Sequence, residues 1–340
     1  MPVFSGSSVS ASVLSARSGG LTLAEIASKL SRRKPKLDGR VGGWAGIEDA
    51  GSNMGLQNVA PPESDPVLGT VGEAGVPALF ARYYFWQPVP SVVRASDDSD
   101  IDGYRKLDAL DVIVTEAAGG RLTIVISSRN VQLLNRRDGA LKGLEGLLRL
   151  SDSTIRLERE TSELRLLDAD IFLWLAAQLR DEPQLSAHLL LDRIISVSGT
   201  DAVSRSSYLK SGVDFDRPNF LTAVAEADTL GPMEVVLVAD RASGARDSFG
   251  FALHKDGGFE LRKNDVQYSS PLEVEVKMVR ASRELAYDLI PQINGLYGTD
   301  GGWPEARVAL IRGVMDGLAR RYKDLLQALE DKLEDADLQA

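Results

Sequence analysis

The sequence predicts an α+β protein. Its sheet is expected to be mixed but mostly antiparallel with packed helices, preceded by an extended N-terminal arm and followed by a C-terminal helical hairpin with a long last helix. Three observations carry that prediction. Apolar runs of strand length come in pairs joined by short glycine-bearing turns, as in "LDVIVTE"–"AAGG"–"RLTIVIS" (110–127), which favours hairpins over crossover units. Stripes of helical period lie between those pairs. The final segment keeps an apolar repeat for longer than the helix before it could cover.

Residues 1–20 are rich in Ser, Gly and Ala and read as an arm that is disordered or draped on a partner. A short helix follows in "LTLAEIASKL", where Thr22 and Glu25 have capping-box spacing and Leu23, Ile26 and Leu30 share a face. The Gly/Pro-rich stretch 39–78 has no periodic pattern and reads as an irregular connection. These parts form an N-terminal region over 1–78.

An α+β body is expected over 79–279, with an optional boundary near 182–188. Its strands are "LFARYYFW" (79–86), the hairpin above, a short strand near 154–158, "LLLDRIISVSG", "MEVVLVADR", "FGFALHKDGGFELRK" turning at Asp256-Gly257-Gly258, and "LEVEVKMV" (272–279). Its helices are 139–150, with Leu141, Leu144, Leu147 and Leu148 on one face, then 168–180, started by Asp168 or Asp170, and "RPNFLTAVAEA", opened by Pro218. The C-terminal hairpin spans 280–340. In its last helix Val308, Ile311, Met315, Leu318, Tyr322, Leu325 and Leu329 alternate steps of three and four, a heptad seam. The preceding helix, with Leu285, Leu289 and Ile293, covers only the first half, so residues from about 320 onward overhang and call for a partner.

Composition removes several chemistries. The chain has 340 residues, no cysteine and two histidines, His188 and His254, so disulfides, thiolate sites and an ordinary zinc centre are not expected. Neither G-x-S-x-G nor H-E-x-x-H occurs, and no base is visible for a nucleophile. The formal charge of −10 opposes polyanion binding, although residues 1–60 alone carry +3. No apolar run suits a membrane span and no secretory leader is seen, which gives the expectation of a cytoplasmic protein without a membrane partner.

Four constellations are candidate sites. "ASDDSDIDGYRKLDALD" opens like a calcium loop with Asp98, Asp100, Asp102 and Gly103. Its closing positions hold Arg105, Lys106 and Ala109 instead of a chelating acid, so a solvated acidic linker is preferred. In "LEVEVK", Glu275 and Lys277 resemble the acid-x-Lys half of a PD-(D/E)xK-type nuclease site, with Asp265 or Asp256 as the further carboxylate. That resemblance implies Mg²⁺-dependent phosphodiester cleavage. Strand alternation explains the same letters without any chemistry. Arg129, Arg136, Arg137 and Lys142 gather near a helix start and suit an anion, or else a basic surface loop with Asp138 as cap.

Arg32, Arg33, Lys34 and Lys36 follow a helix resembling the first of a helix-turn-helix, but Pro35 and the following glycines deny the second helix. The resulting expectation is a non-enzymatic assembly protein, binding itself or a protein partner without a cofactor. Its contacts would be the N-terminal arm and the seam Ile311, Met315, Leu318, Tyr322, Leu325 and Leu329. A metal-dependent nuclease using Asp265, Glu275 and Lys277 with Mg as the ion, and a nucleic-acid-binding regulator, are the alternatives; Ca at Asp98, Asp100 and Asp102 is the weaker metal candidate.

Overall fold

The computed structural model describes residues 4–36, 41–44, 65–88, 105–136, 139–158, 164–201, 206–210 and 227–337. Antiparallel sheet dominates it, with packed helices and a long C-terminal helix, as the predicted class requires. The chain divides into two compact units. The first holds Met1–Arg165, Asp256–Val266 and Pro271–Pro291; the second holds Leu166–Lys255, Gln267–Ser270 and Gln292–Ala340.

In the first unit, β1 (Ser8–Arg17) leads to α1 (Leu23–Ser31), then β2 (Val67–Val71), β3 (Val76–Pro88), β4 (Arg105–Ala117) and β5 (Arg121–Ile126). The short α2 (Val131–Leu134) and α3 (Ala140–Leu148) follow, and much later residues return to complete the unit. Strands β2 to β5 form a meander in which each is antiparallel to the next. Gly119 and Gly120, at φ of 70° and 68°, turn β4 into β5 where other residues would be strained.

Residues 1–20, expected as a loose arm, contain β1. Residues Ser12–Arg17 pair with β5, and Ser8–Ala11 pair with a strand formed by Phe259–Gln267. Val9, Ala11, Val13, Leu14 and Ala16 are all buried, and so are Ser12 and Ser15. The stretch 39–78 also holds more structure than expected, since β2 and the start of β3 make a hairpin there. The short strand expected at 154–158 is reduced to an isolated bridge between Ser15 and Glu158.

One face of this sheet supplies Leu79, Ala81, Tyr83, Leu110, Val112, Leu122 and Ile124 to a core closed by α1 and α3. Both helices have the predicted causes. Thr22 Oγ1 accepts from the Glu25 N–H (3.3 Å), Glu25 Oε2 accepts from the Thr22 N–H (2.9 Å), and Leu141, Leu144, Leu147 and Leu148 are buried. The α3 cap is Gly139 rather than Asp138, and it makes no side-chain cap bond. Val13, Ala78, Tyr84, Ile113 and Val125 alternate with the first set and are buried as well. Burial on both faces explains why these strands read as nearly continuous apolar runs. Asp111 ties the sheet to the N-terminus by accepting from Arg82 Nε (2.6 Å) and from the Phe4 N–H (3.1 Å).

The second unit begins with α4 (Ile171–Asp181), whose residues Ile171–Ala177 are all buried. Next come β6 (Gln184–Ser186), β7 (Leu189–Asp201), β8 (Ser206–Lys210), β9 (Ala227–Asp240) and β10 (Arg246–Leu253). The order within the unit is β10-β9-β7-β6, all antiparallel, with β8 also pairing β7. Met233, Val235, Leu237, Phe249, Phe251 and Leu253 are buried on this sheet. The helix expected in "RPNFLTAVAEA" lies outside the described residues.

Asp247 is the buried acid that holds this unit's edge. It accepts from Arg241 Nε (2.6 Å) and from the Ser269 N–H (2.8 Å). Burial alone would raise its pKa, but the Ser269 N–H and the Arg241 guanidinium outweigh that and hold it below the usual carboxylate range. A depressed folded-state pKa adds stability above the unfolded value, and that stability is lost as pH falls through the folded value. Asp247→Asn is therefore expected to cost about 1–3 kcal/mol at neutral pH. The deficit should shrink below the ordinary carboxylate pKa of roughly 4. Urea denaturation of both proteins at several pH values checks this.

The chain's third part starts with β11 (Phe259–Gln267) and α5 (Val274–Glu284), runs through a π-helical turn (Leu285–Leu289) into α6 (Ile290–Thr299), and ends in α7 (Trp303–Asp337). The "LEVEVKMV" segment, expected as a strand, is the start of α5. Its local alternation is six residues long, whereas Met278, Ala281, Ser282, Leu285, Ala286 and Leu289 continue a buried helical stripe beyond it. Val274 and Val276, which a strand would have turned inward, are 45% and 52% exposed.

Candidate interaction surface

Helix α7 is 35 residues long, about 52 Å at 1.5 Å per residue. Only its first turns are held by the second unit, through α4. Trp303, Leu310 and Val314 are buried, and Arg307 forms an ion pair with Asp170 just before α4. The turn that launches α7 is pinned to the same place. Asp300 Oδ2 accepts from Trp174 Nε1 (2.8 Å), and the Tyr297 hydroxyl donates to Asp168 Oδ2 (2.9 Å). Burial, with the Asp168 carboxylate beside it, pushes the Tyr297 hydroxyl up to about 12.

The docked stripe is offset by about one residue from the heptad seam. That offset leaves the seam on a neighbouring face of the helix. Ile311 and Leu318 are half-buried, while Met315 is 62% exposed, Tyr322 60%, Leu325 49% and Leu329 56%. Leu326, which flanks the seam, is 61% exposed. Every residue from Ala319 to Lys332 is exposed. Five large apolar side chains thus lie exposed along one side of the helix, four of them beyond its buried turns.

The residues of the other constellations do not converge in the same way. Glu275 and Lys277 sit on α5, where Lys277 Nζ donates to the carbonyls of Lys263 (2.7 Å) and Val266 (3.1 Å) at the end of β11. Asp265 lies on β11 itself. Asp256 is spoken for by Arg129, whose Nη1 donates to Asp256 Oδ1 (2.9 Å) and to the Ala11 carbonyl (3.3 Å). Among the described residues, no three His, Asp or Glu side chains come together as a metal-ligating group.

Arg136 donates to the Trp86 carbonyl (3.3 Å), and Lys142 lies 3.7 Å from the buried Glu145, which also pairs with Arg149. Arg137 lies outside the described residues, as do Asp98, Asp100 and Asp102; the closing half of that expected loop is the start of β4. Arg32, Arg33, Lys34 and Lys36 are exposed. Their segment leaves the C-cap Arg32 of α1 and is clipped by bridges between Lys36 and Val41 and between Gly43 and Tyr84, with Trp44 packed 4.9 Å from Tyr83.

Sequence reasoning passed over one polar recess of about 260 Å³ in the first unit, lined by Arg17, Arg121, Thr154, Ile155, Arg156 and Glu158. Two of its three arginines are bonded within the unit. Arg121 Nη2 donates to Ser15 Oγ (2.8 Å) and Glu158 Oε2 (3.2 Å), and Arg156 Nη1 to the Ile155 carbonyl (2.9 Å). The only sequence signal was an arginine at the last position of β1, Arg17, and at the first of its partner β5, Arg121.

No protein-family model matches the chain, and no curated protein is similar to it. No helix among the described residues is long and apolar enough to cross a membrane.

Proposed function

We propose that this is a non-enzymatic assembly protein whose contact element is the distal part of α7. The observation that carries the reading is the exposed seam of Met315, Tyr322, Leu325 and Leu329 beyond the docked turns. Heptad-spaced apolar residues on a helix are a knobs-into-holes surface awaiting another helix. The N-terminal segment, expected as a second contact, is committed to the sheet as β1 and drops out of this reading.

Deleting residues 319–340 removes only exposed helix and chain beyond it, so the remaining protein should fold unchanged by circular dichroism. Its mass by light scattering should fall relative to the full chain. An unchanged mass overturns the reading.

A further inference from the structure

The charges on α7 are segregated along its length, and this bears on what covers the seam. From Arg312 to Lys323 the helix carries Arg312, Arg320, Arg321 and Lys323 against a single acid, Asp316. From Asp324 to Lys332 it carries Asp324, Glu330 and Asp331 against Lys332, and the sequence continues with Glu334, Asp335 and Asp337. The described charged residues of both segments are exposed.

Resting on the assembly reading above, we infer that the occupant of the seam is a second copy of this chain, laid antiparallel in a closed two-fold pair. Two parallel copies in register would set acid against acid and base against base. Turning one copy around places each acidic end against the other's basic segment, and the two-fold axis makes that match twice. One self-complementary helix therefore supplies both halves of the attraction, and no second protein is needed to explain the pattern.

The seam also fixes the register. An antiparallel overlap centred near residue 327 brings Leu325 against Leu329 of the partner subunit and Tyr322 against the stem of Lys332 of the partner subunit. Leu326 and Ala328 flank the axis and meet their own counterparts there. The small side chain of Ala328 lets the helices approach closely at that point.

The exposed parts of Met315, Tyr322, Leu325, Leu326 and Leu329 offer on the order of 600 Å² per copy, about 1,200 Å² in total, the lower edge of a stable interface. The expected dimer is accordingly one that ions can weaken. Raising the salt from low to about 1 M should loosen it by roughly tenfold, because exposed charges are then screened beyond about 3 Å.

The absence of cysteine makes the arrangement directly testable in the full chain. Ala328→Cys should give a disulfide-linked dimer under mild oxidation, because the two Cys side chains would face each other across the axis. Met315→Cys should stay a single chain, because an antiparallel pair carries the two copies of position 315 far apart. Cross-linking of Met315→Cys without Ala328→Cys would show a parallel pair and overturn this inference. Cross-linking of neither, with a dimer still abolished by deleting 319–340, would also overturn it while leaving assembly standing. A full chain that scatters as one chain would overturn both.

Discussion

A variant lacking residues 1–17 is expected to lose the cooperative fold of its first unit. Strand β1 pairs with β11 through Ser8–Ala11 and with β5 through Ser12–Arg17, so its removal leaves two neighbours with open edges. Burial of Val9, Val13 and Leu14 alone is worth about 5–9 kcal/mol at the usual rate for such side chains. A typical domain has only about 5–15 kcal/mol to lose. The variant should therefore appear in the insoluble fraction, or as a protease-sensitive chain, since unpaired edges invite aggregation. A dispensable arm would leave the melting transition in place, and that outcome would contradict the position of β1.

The second large effect is expected from the pair Leu325→Asp and Leu329→Asp. Both side chains are about half exposed and lie beyond the docked turns, so the body should melt at its usual temperature. Two carboxylates in the middle of a helix seam would meet an apolar surface and an acidic flank. Each seam leucine, about half exposed, gains about 0.8–1.5 kcal/mol on burial, so losing two weakens association by more than about tenfold. Sedimentation at several concentrations reads this directly. A mutant as associated as the parent would remove the seam from consideration.

Much of the fold was legible because local chemistry and tertiary structure agree. The Thr22–Glu25 box, the β4–β5 hairpin with its paired glycines, and the leucine stripe of α3 each combine a cap or turn signal with the right period. Strand β1 was missed because serine at alternate positions looks like a low-complexity tail. In the fold Ser12 and Ser15 are buried along with Val13, Leu14 and Ala16. The start of α5 misled in the opposite direction, since Val274 and Val276 alternate perfectly yet a longer stripe around Met278 decides the element.

The candidate surface on α7 was legible as a seam, but its division into buried and exposed faces was not. Only the fold shows that Trp303, Leu310 and Val314 are buried while most of the neighbouring seam stays exposed. The residues of the catalytic alternative engage other partners in the fold. Lys277 and Asp256 had the right letters at the right spacing, but backbone carbonyls and Arg129 take their hydrogen bonds.

The discontinuity of the first unit has a consequence for how the protein is made. Residues 1–165 leave the ribosome well before β11 and α5, with residues 166–255 of the second unit between them. At bacterial or eukaryotic elongation rates that interval lasts roughly 5–20 s. Throughout it, the first half of β1 has no partner strand, and the Arg129 guanidinium lacks the Asp256 carboxylate it later grips. A nascent chain in this condition exposes a strand edge and is a natural client for a chaperone. Interruptions of synthesis between residues 165 and 259 should therefore be the most damaging in the whole chain.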